Sequence, residues 1–183
     1  MMEIRYLELL VRMTRLLLPF THGIDVSAIV SALALAQRFD ATLVPLSLIY
    51  LPHASNRGAR WEDVQQSRDF LEFVQRKATR SGVPVERIEL YTRNPVGSAR
   101  ALAQEMECAG IVVAVRRGAG VLLATSEVKG LLENKDIPLY VVSLPGKTGM
   151  FSFPRRLRER ASSLLLHRRA APGEQDAGER AVE

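Results

Sequence analysis

Arg116 and Arg117 close the apolar run Gly110-Ile-Val-Val-Ala-Val115, and Gly118 and Gly120 follow directly. A guanidinium holds phosphate through two parallel N–H donors, and a glycine lets the backbone approach an oxyanion closely. Thr125 lies just beyond, at the start of a helical pattern. Its hydroxyl can meet a phosphate oxygen, although a threonine or serine there (Thr125 or Ser126) equally serves as a helix cap. The plain alternative for Arg116 and Arg117 is a pair of solvated loop arginines. Thr21 and His22 end another apolar run, Arg15-Leu-Leu-Leu-Pro-Phe20. His22 as a general base needs an orienting partner, and Asp25 is the acid nearby in sequence.

Other chemistry is excluded by spacing. His22, His53 and His167 are too scattered to assemble a zinc site. Gly146-Lys147-Thr148 copies the end of a phosphate-binding P-loop, but Val141 stands where its first glycine belongs. Gly118-Ala119-Gly120 opens like a dinucleotide fingerprint, yet Leu123 takes the third glycine's place, and the match falls on a late strand. No Gly-x-Ser-x-Gly elbow or paired acidic signature is present, so the expectation is a protein that binds and does not catalyse.

The elements that must position these residues follow from periodicity. The runs 15–20, 41–50, 85–91, 110–115 and 138–143 read as strands, with Pro45 weakening the second and alternating charges marking the third as an edge. Between them lie helical patterns at 26–39, 60–81, 97–107 and 125–134. Asp25 is the expected N-cap of the first. The second sets Trp61, Val64, Phe70, Leu71, Val74 and Ala78 on one face and stops at Gly82. Regular alternation of strand and helix predicts an α/β domain with a parallel sheet covered on both faces through right-handed crossovers.

Charge and composition narrow the partners. The net charge is +5, but residues 1–145 hold 17 Lys/Arg against 15 Asp/Glu, while 146–183 hold eight against five. A nearly neutral core is not a nucleic-acid-binding domain, which would carry a basic stripe. The division expected is an N-terminal extension over 1–13, an α/β domain over 14–145 and a tail over 146–183. The tail concentrates six arginines between Arg155 and Arg169 and then turns acidic over 170–183. Leu157 and Leu164 to Leu166 lie among those arginines, so 155–169 is a candidate contact for an anionic membrane surface or a protein partner. The acidic end, with its glycines and Pro172, reads as disordered. Cys108 is the single cysteine, so no internal disulfide forms, and it reads as buried packing. Glu3, Arg5, Glu8 and Arg12 interrupt the first apolar residues as a signal peptide would not tolerate, and a cytoplasmic protein is expected, starting at Met1, Met2 or Met13.

Read together, Leu16-Leu-Leu-Pro19 before a short polar loop, Ala32-Leu-Ala-Leu-Ala36, Asn94-Pro95, Ile111-Val-Val-Ala114 before a glycine-containing loop, and Ile137-Pro-Leu-Tyr-Val-Val142 resemble the universal stress protein family over roughly residues 14–144. The resemblance implies an open five-stranded Rossmann-like sheet in the order 3-2-1-4-5, with a ligand crevice between strands 1 and 4. It also implies a stress-response regulator, homodimers formed along Pro138 to Ser143, and an ATP or AMP site involving Thr21, His22, Arg116, Arg117, Gly118, Gly120 and Thr125. Departures from the nucleotide-binding pattern are visible. Thr21 replaces an aspartate, the glycine loop is shortened, and Ala124-Thr125 stands where the family carries Gly-Ser or Gly-Thr. The expectation is therefore a degenerate adenine-nucleotide binder, with a nucleotide-free dimeric interaction module as the alternative.

Overall fold

The computed structural model describes residues 14–51, 58–133 and 136–146. The expectations for the extension 1–13 and for the tail beyond Gly146 lie outside these residues. In chain order the elements are β1 (Arg15–Phe20), α1 (Val26–Arg38), β2 (Thr42–Tyr50), α2 (Trp61–Ser81), β3 (Ile88–Thr92), α3 (Pro95–Glu105), β4 (Gly110–Arg116), β5 (Ala119–Gly120), α4 (Thr125–Leu132) and β6 (Leu139–Leu144).

Five strands run parallel in the order β3-β2-β1-β4-β6. This is the expected 3-2-1-4-5 arrangement with one addition: the two-residue β5 folds back antiparallel on the end of β4. β1 and β2 are buried almost throughout, because helices cover both their faces. One core places Leu16, Leu18 and Phe20 against Ile29 and Leu33 of α1 and Phe70 and Val74 of α2. Phe20 stacks on Phe70 with ring centroids 4.1 Å apart. The opposite face packs Leu17, Leu46 and Val113 against Ala99 and Ala103 of α3 and Val128 and Leu131 of α4.

Local chemistry sets the boundaries. Asp25 caps α1 through its carboxylate and the Ala28 N–H, 3.1 Å apart. Gly82 ends α2 at φ 67°, a left-handed conformation that glycine adopts without a Cβ penalty. Asn94 accepts from the Gly97 N–H, so α3 begins at Pro95, two residues before the expected start. Proline is favoured there because a first-turn N–H has no helical partner to lose. Pro45 is tolerated because it falls between Leu43, bridged to Val85, and Leu46, where regular pairing with β3 begins.

Trp61 departs from its expected place on the inward face of α2 and is 74% exposed. It is the helix's first residue, ahead of the buried positions Ser67, Phe70, Val74 and Ala78. Cys108 is half-buried, and burial pushes its thiol above the ordinary value. No helix of the described residues is long and apolar enough to cross a membrane.

Candidate functional site

In an open parallel sheet the ligand crevice opens where neighbouring strands send their connections to opposite faces, here between β1 and β4. These strands pair only at their beginnings, through Leu16 with Gly110 and Leu17 with Ile111, and then part. The chain's own residues 121–123 enter the fork. The Val121 N–H donates to the Ala114 carbonyl at 3.1 Å on one side. On the other, the Thr21 and His22 N–H groups donate to the Leu122 carbonyl at 2.9 and 3.4 Å.

The inserted segment behaves like a strand in its side chains as well. Leu122 is buried in the core beneath α1 and α2, and Leu123 in the core beneath α3 and α4. Burying a leucine fully is worth roughly 1.5–3 kcal/mol, so the wedge is an integral part of both cores. A recess remains beside the ends of β1 and β2, lined by Pro19, Leu48, Val96, Leu123, Glu127 and Leu131 among others. It has no room for a water molecule. Pockets that take small molecules hold about 300–1,000 Å³.

A tight turn delivers the wedge. Arg117 and Gly118 link β4 to β5 with φ of 52° and 79°, both left-handed, as a two-residue hairpin with the native strand twist requires. Gly120 has no such φ but no room either. A Cβ there would collide with the Leu123 carbonyl oxygen and approach Val128 Cγ2 to 2.9 Å. The Gly120 N–H donates to Thr125 Oγ1 at 3.3 Å, so the threonine hydroxyl braces the loop.

Two carboxylates complete the closure. Arg116 Nη1 donates to Asp25 Oδ2 at 2.7 Å, and Arg116 Nε donates to the Pro145 carbonyl at 3.0 Å. One guanidinium thereby ties the end of β4 to the cap of α1 and to the chain leaving β6. The hydrogen bond from Arg116, more than any other influence, holds the Asp25 carboxyl below its usual range, while Asp25 raises the Arg116 guanidinium. Glu127 Oε2 accepts from the Ala124 N–H and from Thr21 Oγ1, both at 2.7 Å. Glu127 supplies one half of a capping box at the start of α4; Ala124 has no oxygen to supply the other.

The residues singled out in the sequence do converge on this rim. Thr21, His22, Arg116, Gly120 and Thr125 lie around the fork, with Arg117 and Gly118 at the hairpin tip. Their groups are turned to the chain itself: Thr21 to Glu127, Arg116 to Asp25, and Thr125 to Gly120. His22 is exposed, with Nδ1 3.1 Å from Thr21 Oγ1, while Asp25 is engaged by Arg116. Sequence reasoning missed Leu122, Leu123 and Glu127. Only Glu127 left a signal, its spacing of three residues from Ala124 at a helix start. Among the described residues no group of His, Cys, Asp and Glu could hold a metal ion.

The universal stress protein family model matches residues 15–143 of this chain. No curated protein matches its sequence. Among solved structures, a universal stress protein from Archaeoglobus fulgidus superposes with a TM-score of 0.58 at 15% identity, covering 74% of this chain and 97% of that one. A universal stress protein family member from Burkholderia pseudomallei gives 0.56 at 20% identity, covering 71% and 96%. The structure of the Archaeoglobus fulgidus universal stress protein in complex with dAMP gives 0.54 at 14% identity, covering 70% and 96%. At such identities the structural likeness carries the fold alone.

Proposed function

This chain belongs to the universal stress protein family, and we propose that it is a regulatory domain of that family which acts by association, without catalysis and without an adenine nucleotide in the crevice between β1 and β4. The observation that supports this reading is the Leu122 carbonyl held by the Thr21 and His22 N–H groups, with Leu122 and Leu123 buried on opposite faces of the sheet. In this reading AMP or ATP enters the crevice between β1 and β4 only if the wedge leaves both cores. Arg116 would also have to exchange Asp25 for phosphate. Each step removes an interaction already made within the fold, so nucleotide must repay it before any net binding appears.

The association surface in this reading is the free edge of β6. Among the described residues β6 pairs only with β4, its sequence Leu-Tyr-Val-Val-Ser-Leu carries no charge, and Val141 is 51% exposed. An uncharged edge with unpaired backbone groups invites another strand, and a second copy supplies an identical one. Two measurements test the proposal. Calorimetric titration with AMP and adenosine, which carry no linked phosphates, should give no saturable heat at millimolar concentration. Sedimentation velocity should give a dimer that Val141→Arg converts to monomer. Saturable binding of AMP or adenosine, or a monomeric parent protein at micromolar concentration, would contradict it.

A further inference from the structure

The last turns of α2 carry Arg76, Lys77 and Arg80 around a concavity of about 200 Å³ whose remaining wall is Phe73. Phe73 is packed against the core at its base, and Lys77 Nζ stands 5.5 Å from its ring centroid. None of the three cations makes an ion pair or hydrogen bond with another described residue. Glu72 stands one turn before Arg76, in the orientation that favours a pair on a helix, yet the two are not joined. Like charges one turn apart, as in Arg76 and Arg80, oppose each other. Attraction to the negative end of the helix accounts for Arg80 in the last turn, but fades toward Arg76.

We propose that this concavity binds a compact polyphosphate, two or three linked phosphate groups. Arg76 and Arg80, four positions apart, offer two guanidinium forks on one side of the helix, each matched to a phosphate's paired oxygens. Lys77, fixed over Phe73, adds a third charge. A single carboxylate would leave at least one fork unused. A linked phosphate chain carries enough charge and oxygen atoms for all three. The site lies on α2 and shares no residue with the closed crevice; AMP and adenosine probe the crevice and tripolyphosphate probes this site, so the two proposals fail separately. Its lining gives a nucleobase no polar partner beyond the cations, and free tripolyphosphate and the triphosphate of a nucleotide are therefore equivalent ligands.

The test is titration of the full chain with sodium tripolyphosphate, ATP and GTP by calorimetry at low salt, repeated with R76Q/R80Q. Arg76 and Arg80 are both exposed, and circular dichroism verifies that the variant is folded. The three ligands should bind alike, weaken together as sodium chloride is raised, and lose at least tenfold in affinity in R76Q/R80Q. Absence of saturable tripolyphosphate binding at millimolar concentration would overturn the proposal. So would affinity unchanged in R76Q/R80Q, which would place binding on another basic segment, or binding of ATP without tripolyphosphate, which would require recognition of the base.

Discussion

Arg116 and Asp25, separated by 91 positions in sequence, meet at 2.7 Å with side chains only 17% and 10% exposed. The pair converts the arginine most suited to an anion site into a structural tie. Asp25 already caps α1, so the same carboxylate fixes a helix start and neutralises the guanidinium at the end of β4.

Replacing Arg116 by Gln should lower the melting temperature, because Asp25 keeps its place at the α1 cap while losing its cationic partner. The carboxyl of Asp25, followed by NMR titration, should move up toward the ordinary aspartate value in this variant. An unchanged titration would mean that Arg116 is not what holds it down.

The pH dependence follows from the direction of that shift. Asp25 has a lower pKa folded than unfolded, so its contribution is fully present above the ordinary aspartate value of about 3.9. It is lost as pH falls through the lower, folded value. Asp25→Asn should therefore be less stable than the parent at pH 7, with the difference closing in urea melts as the pH approaches 2.

The glycines of the hairpin should respond unequally. Gly118→Ala meets open space and suffers only the left-handed backbone, about 1 kcal/mol. Gly120→Ala drives a methyl into the Leu123 carbonyl and Val128, so the wedge must shift, at about 1–3 kcal/mol. Chemical denaturation of the two variants should rank Gly120→Ala as the more damaging.

Leu123→Ala should cost about 2–5 kcal/mol, as expected for a leucine wholly inside a core. A loss below about 1 kcal/mol by urea denaturation would show that the wedge is peripheral and that the crevice opens readily.

Much of the fold was legible because apolar periodicity and turn residues agree along the chain. β1 ends at Phe20, Asp25 caps α1 and Gly82 ends α2 as expected from the order of residues alone. The start of α3 was displaced because Asn94-Pro95 reads as a loop until the Asn94 side chain is seen to accept from the Gly97 N–H. The site was legible as a location but not as a state. Leu122 and Leu123 are two apolar residues in a short loop, with no period to reveal that a fork between β1 and β4 awaits them. Arg116 carries no mark of its distant partner, since an ion pair between remote elements depends on the tertiary arrangement.

The most direct test of the closed crevice is amide hydrogen exchange at Thr21, His22 and Val121, measured with and without millimolar AMP. Closure by Leu122 and Leu123 predicts protection at Thr21 and Val121 comparable with the β1 and β4 core, and no change at any of the three on adding AMP. Rapid exchange in the free protein, or a saturable change at these amides with AMP, would mean that the wedge leaves the fork and that the crevice admits nucleotide.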